Sequence, residues 1–333
     1  MSSLIENGNV RTGIFRDPIT LIRPKEFVLR KPLGSVRGAL ARKFAYKQFH
    51  YMGGISDSLI FGAAIVDLRY LSTVFYYVYD LKTGRELRNT WRKPFSGSVR
   101  FSENPESGSV VFGSGKNTAR VHVENGNRML EVISNGKSII AAAFPDAEAK
   151  IEPLRICTRA GYTGWVYVRK TGGVPLSGVV DCDLGRFDLK GCLGHTDYSV
   201  GYMRPETWWN WAFASGKING KTFAMNVSCG VNETSYTENC YWLDGKLHSL
   251  PLARFDFDQK NPMGPWKVSS SMNNDFSLDF AARGQHKEHV NAGKIASRFS
   301  QMYGSFEGQI VLNGKKISVK NLLGFTEDHY AKW

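Results

Sequence analysis

Five short dipeptides constrain this chain most: Asn125-Gly126, Asn135-Gly136, Asn219-Gly220, Asp244-Gly245 and Asn313-Gly314, each set between apolar runs. A two-residue type I′ hairpin turn needs positive φ at both central positions, which Asn or Asp followed by Gly supplies at least cost. A chain punctuated in this way is expected to run as antiparallel hairpins. The intervening segments agree. Residues 59–70 and 73–79 read as two strands, the second rich in β-branched and aromatic residues, with a turn at 80–86. Short strands are predicted at 97–101, 109–112, 119–123, 129–134, 138–144, 165–169 and 179–183.

Helical periodicity is scarce. Residues 193–211 are expected to hold a short helix or a loop, and 292–302 form a second modest helix candidate. The turn spacing suits sandwiches or barrels. The expected fold class is all-β, with two consecutive antiparallel β-barrels or sandwiches and few short helices. Three segments are expected: a basic extended arm over 1–33, a first barrel over 34–150 and a second over 151–333. Pro18, Pro24 and Pro32 make the arm irregular.

Charge and composition exclude several classes. The longest uncharged apolar stretches, 58–66 and 70–79, fall short of the ~20 residues of a spanning helix. The first residues lack a basic segment followed by an apolar one, so no secretory signal is expected. Cys157, Cys182, Cys192, Cys229 and Cys240 are odd in number and contain no CxxC pair, which points to a reduced, cytoplasmic chain. Asn226-Val-Ser and Asn232-Glu-Thr match the glycosylation pattern but carry no meaning without secretion. The net charge is +13, and residues 1–50 hold ten basic and three acidic side chains. Such an arm suits an anionic membrane surface or phosphorylated ligand, or is simply a solvated surface. Nucleic acid is not expected, because no recognised motif accompanies the charge.

Chemistry-bearing residues concentrate in the second half. The densest run, 194–216, holds His195, Asp197, Tyr198, Arg204, Trp208, Trp209 and Trp211. If this run is extended, His195 and Asp197 share a face. A carboxylate beside an imidazole suits acid–base work, and a nearby Arg suits an anionic ligand group. The competing reading pairs Asp197 with Arg204 and puts the Trp residues in the core. A second cluster is Glu238, Asn239 and Trp242, which could polarise a ligand or satisfy loop backbone. A third is Glu327 and His329 in a polar–aromatic C-terminus, expected to fold back over a pocket. His286 and His289 flank Glu288 at a spacing that ligates metal from a helix, but their surroundings read as surface loop and no metal is expected. No Walker A, GxSxG or GxGxxG motif is present, and no cofactor is expected.

Three stretches together carry a family resemblance: FGAAIVDLRYLSTVFYYVYD (61–80), HTDYSVGYMRPETWWNWAFASG (195–216) with ENCYWLDGKLHSL (238–250), and GFTEDHYAKW (324–333). They resemble the bacterial family known as domain of unknown function 2804, over roughly residues 20–333. More distantly, the chain resembles the lipocalin-like two-barrel group of carotenoid 1,2-hydratases (hydroxyneurosporene synthases), tocopherol cyclases and fungal pericyclases. That resemblance implies a hydrophobic pocket between two lipocalin-like barrels and cofactor-free proton chemistry on a polyene or terpenoid. It assigns no residue.

Three functions are therefore expected to compete. One is a hydratase, isomerase or cyclase acting on a lipid or isoprenoid. Asp197 would donate the proton, His195 or Tyr198 would relay it, Trp208, Trp209 and Trp211 would bind the chain, and Arg204 would hold a polar end. Another is a non-catalytic lipid carrier or sensor docked on anionic membranes through residues 1–50. The last is a carbohydrate-binding protein with exposed aromatic platforms.

Overall fold

A computed structural model of the chain describes residues 2–231, 234–293 and 295–333, so the Asn232 sequon lies outside the described residues. Among these residues strands dominate, and the one α-helix is Ala39–Ala45. The fold is all-β, as the hairpin punctuation predicts. All five dipeptides place both residues at positive φ, from 49° to 53° at the first position and 75° to 83° at the second, and Asn7-Gly8 does the same. These are type I′ turns, whose twist matches that of the strands they join.

Three large antiparallel sheets result. The central sheet has eight strands in the order Gly13–Ile14, Leu154–Ala160, Gly164–Pro175, Leu193–Tyr202, Lys47–Ile55, Leu59–Asp67, Leu71–Asp80 and Glu86–Pro94. A mid-chain sheet of seven strands collects residues between Val99 and Asp188. A C-terminal sheet of nine strands runs from Glu206 to Lys332. Its middle is formed by Glu206–Ile218, Lys315–Lys332, Ala296–Leu312 and Phe276–Asn291. It also closes over an apolar core of its own, which includes Phe223, Met225, Trp266, Phe276 and Phe306.

The two faces of the central sheet meet different partners. Its even-numbered face over Gln48–Gly54 and Thr196–Tyr202 turns towards the mid-chain sheet and the N-terminal segment. Its odd-numbered face turns towards the C-terminal sheet, with Tyr51 against Trp211 and His195 against Phe213. Burial of apolar side chains on both faces explains why these strands read as nearly continuous hydrophobic runs.

Several expectations are corrected here. Residues 193–211 form no helix: they make up one complete strand and the start of the next. Two apposed sheets bury both sides of this run, which removes the simple alternation that would have marked it. Residues 296–302 likewise lie in a strand, and so do His286 and His289. In a strand an i, i+3 pair points to opposite faces. His286 is buried and His289 is not.

The N-terminal arm is not free. Gly13–Ile14 adds a strand to the central sheet. Leu4, Ile5, Ile19, Ile22, Phe27 and Leu29 pack with Trp165, Tyr167, Tyr198 and Tyr202 into a separate apolar core. The sheets also divide the chain at Met203–Pro205, not at 150. Leu193–Tyr202 pairs with Lys47–Ile55, and Gly164–Pro175 and Leu154–Ala160 extend the same sheet beyond it, so the predicted boundary cuts one continuous sheet.

Candidate functional site

The central and C-terminal sheets enclose a cavity of about 300 Å³. Its walls are mostly apolar and include Phe49, Val66, Phe75, Trp209, Trp211 and Phe299. Strand register explains which side chains reach it. In the central sheet, Lys170 pairs with Asp197, Asp197 with Tyr51, Tyr51 with Ala64 and Ala64 with Phe75. These residues form one cross-strand row on one face. In the C-terminal sheet, Ser228, Trp211, Glu327, Gln301 and His286 form the facing row. Trp209, His329, Phe299 and Glu288 form the row beside it.

The polar end of the cavity is built on Lys170. Its Nζ lies 3.1 Å from Asp197 Oδ2 and 2.8 Å from Glu238 Oε1, and it donates to Asn226 Oδ1 at 3.3 Å. The same ammonium stands 5.1 Å from the centre of the Trp211 ring. Ser199 donates to Asp197 Oδ1 at 2.8 Å, and Ser228 donates to Glu238 Oε1 at 3.0 Å. One cation therefore serves two buried carboxylates. The carboxylates hold the Lys170 ammonium firmly protonated against its own burial. Burial pushes the Asp197 carboxyl above its ordinary range, and the Glu238 charge adds to this while Lys170 opposes it. The geometry thus sets a carboxyl whose pKa is raised by burial at the wall of an apolar cavity.

A second polar group sits on the facing sheet. Trp209 Nε1 donates to Glu327 Oε1 at 2.8 Å, and Gln301 Nε2 donates to Glu327 Oε2 at 3.4 Å. His329 Nδ1 is 3.6 Å from Glu327 Oε1, its Nε2 is 3.0 Å from Ser297 Oγ, and its ring lies 4.1 Å from the Trp209 ring. The C-terminal strand Lys315–Lys332 carries Glu327 and His329 to the wall near its end, and Trp333 lines the cavity beside them.

Tyr51 links the cavity to a buried tyrosine–histidine chain. Its hydroxyl lies 2.8 Å from Tyr77 Oη and 3.2 Å from His195 Nε2. Gly53 and Gly62 make this possible, since a Cβ at either position would stand 2.6 Å from Tyr51 Oη. His195 does not line the cavity. It is stacked on Phe213 at 4.1 Å, and burial drops its pKa to about 3, so the ring is neutral at physiological pH.

The predicted residues therefore separate. Asp197, Arg204, Trp209, Trp211, Glu238, Glu327 and His329 all line the cavity. His195 shares Asp197's face, as the extended reading requires, but stands one row behind it. Tyr198 is on the opposite face, buried against the N-terminal segment and away from the cavity wall. Trp208 is 56% exposed on the outside of its strand. Asn239 is consumed structurally, accepting from Ser228 N at 2.7 Å and donating to Pro251 O at 3.0 Å. Trp242 packs in the core and donates to Glu152 O at 2.7 Å. The suggested Asp197–Arg204 pair does not form: Arg204 donates to the carbonyls of Gly230 and Val231 and to Thr207 Oγ1.

Sequence reasoning missed Lys170, Tyr51, Tyr77 and Gln301. Lys170 carried a usable signal, as one of two adjacent charges, with Arg169, inside a strand of otherwise uncharged residues. Among the described residues no cluster of three or more His, Cys, Asp or Glu is placed to hold a metal ion, and no helix is long and apolar enough to cross a membrane.

Comparison with known proteins places the sequence. The profile of a family described as "Domain of unknown function (DUF2804)" matches residues 2–333. The chain belongs to this family. No curated protein matches the DUF2804 chain. Among solved structures it is similar to kievitone hydratase from Nectria haematococca, at 7% identity and a TM-score of 0.45, over 86% of this chain and 88% of that one. It is also similar to CghA, at 12% identity and a TM-score of 0.45, over 85% of this chain and 87% of that one.

Proposed function

We propose that this DUF2804 protein binds an apolar small molecule, a lipid or an isoprenoid, between its central and C-terminal sheets and delivers a proton to it from Asp197. The observation that carries the reading is the raised Asp197 carboxyl at the wall of an aromatic cavity, held against Lys170 and Glu238. The volume of about 300 Å³ falls at the lower end of small-molecule sites, which span ~300–1,000 Å³.

In this mechanism the Asp197 O–H bond breaks and its proton joins a double-bond carbon of the ligand. The adjacent carbon becomes cationic, and the π faces of Trp209 and Trp211 stabilise it. The Asp197 carboxylate then takes a proton back. It comes from a carbon beside the cation in isomerisation or cyclisation, or from an added water in hydration. The proton balance closes on the protein and needs no further reagent. Arg204, on the cavity wall, faces a polar end of the ligand. His195, neutral and behind Tyr51, orients that hydroxyl and does not relay the proton.

Two experiments test this. Native mass spectrometry with organic extraction of the protein from its own host should recover an apolar molecule. Incubation of that molecule with the protein in deuterated water should place deuterium in it, and Asp197→Asn should bind it but place none. Retained binding without exchange in the wild type would leave a carrier. No binding to extracted lipids or to farnesol would overturn the reading.

A further inference from the structure

The segment between residues 30 and 44 is the least explained part of the surface. Arg30 bridges to Val36, and Lys31 N donates to Ser35 O, which makes a tight loop with Leu33 at its tip. Leu33 is 99% exposed. The Ala39–Ala45 helix that follows has no buried residue. Leu40, four residues before Phe44 and so on the same helical face, is 72% exposed, and Phe44 and Val36 are exposed as well. Stable surfaces seldom leave four large apolar side chains together in water.

Along this segment the charge has one sign. Arg30, Lys31, Arg37, Arg42 and Lys43 lie within the segment, and no acidic residue occurs from Phe27 to Ser56. Exposed apolar side chains interspersed along the chain with basic ones match the boundary between anionic headgroups and acyl chains. The position fits too. Lys47 Nζ donates to Phe44 O at 2.8 Å and to Leu68 O at 2.9 Å, and Lys47 and Leu68 both line the cavity. The helix therefore ends at the cavity rim.

We propose that residues 30–44 dock the protein on an anionic lipid bilayer, with Leu33 and Leu40 inserted and Arg30, Lys31, Arg37 and Lys43 against the headgroups. Docking in this orientation sets the cavity mouth beside the membrane. The proposal does not rest on proton chemistry at Asp197. It also narrows the basic surface expected from sequence. Residues 4–29 are a packed layer of the body, so the docking element is the loop and helix that follow them.

The test is co-sedimentation of the full chain with vesicles of phosphatidylcholine containing ~30% phosphatidylserine, and with pure phosphatidylcholine vesicles. Binding should require the anionic lipid and weaken with salt. Lys31→Ala/Arg37→Ala/Lys43→Ala should lower partitioning about a hundredfold, at roughly fivefold for each charge near the surface. Leu33→Glu/Leu40→Glu should lower it at least as far, since each leucine inserted is worth roughly tenfold or more. Lys31, Leu33, Leu40 and Lys43 are exposed and Arg37 is half-buried, and both variants should keep the wild-type melting temperature and the wild-type tryptophan response to farnesol. Wild-type partitioning in either variant would overturn the proposal. So would a duplex DNA that binds through the same basic residues while vesicles do not.

Discussion

Replacing Lys170 by Met is the most informative perturbation of the buried cluster. At an effective dielectric of ~20, a contact at the observed 3.1 Å or 2.8 Å is worth about 5–6 kcal/mol before desolvation is subtracted. Met fills the same space but leaves Asp197 and Glu238 as two buried carboxylates with no cation. Removing one partner of a buried ion pair costs about 3–5 kcal/mol, and the loss is capped because an abandoned carboxylate takes up a proton instead. The sign of the pH dependence follows. Asp197 already holds its proton more tightly folded than unfolded. A carboxyl with a raised folded pKa gives stability that is fully present below the unfolded value of 3.8 and is lost as pH rises towards the folded value. Loss of Lys170 moves that folded value higher and extends the window upward. Lys170→Met should therefore be least stable near pH 8 and recover on acidification to pH 5, opposite to ordinary acid denaturation. Chemical denaturation followed by tryptophan fluorescence at several pH values measures it. Lys170→Met/Asp197→Asn/Glu238→Gln should regain most of the loss and flatten the slope. A single variant that loses under ~1 kcal/mol with no slope would mean that water already solvates the carboxylates, and the raised Asp197 carboxyl would fall with it.

Tyr51→Phe removes the hydroxyl shared by Tyr77 and His195 and should cost about 1–3 kcal/mol, read as a shift of the denaturation midpoint without change in its slope. Gly53→Ala sets a Cβ 2.6 Å from both Tyr51 Oη and Phe61 O, and should destabilise by about 1–3 kcal/mol through overpacking. Trp209→Phe keeps the wall apolar but withdraws the donor to Glu327, so farnesol affinity should change little while the denaturation midpoint falls by the equivalent of about 1–3 kcal/mol. Trp208→Ala lies on the outer face and should leave stability and farnesol binding within error of wild type, in contrast to Trp211→Ala, which should weaken both.

The hairpins were legible because a type I′ turn is a local event: two adjacent residues, Asn125 and Gly126 for instance, carry the whole signal. The face shared by His195 and Asp197 was legible for the same reason, since alternation is a property of consecutive residues. What could not be read was depth, because it depends on a second sheet. His195 and Asp197 have identical orientation, yet one stacks under Phe213 and the other meets the cavity. Asp197's cation is supplied by the neighbouring strand, 27 positions earlier, and the second carboxylate comes from the segment that leads into the far sheet at Cys240, 41 positions later. Register alone brings them together.

The sheet boundary failed for a related reason. Residues 154–202 look in sequence like the start of a new β unit, because they follow the turn-rich run at 145–153. Three of its strands, Leu154–Ala160, Gly164–Pro175 and Leu193–Tyr202, instead complete the first sheet, the last of them returning to pair with Lys47–Ile55. This long-range closure also creates the site. Lys170 and Asp197 stand on two of these strands, Tyr51 on Lys47–Ile55, and Trp211 and Glu327 on the sheet laid over all three. A charged residue such as Lys170 is tolerated in a buried strand only when counter-charges meet it, here Asp197 on the neighbouring strand and Glu238 from across the cavity, so the lysine that hairpin arithmetic passes over marks the seam where the two sheets meet.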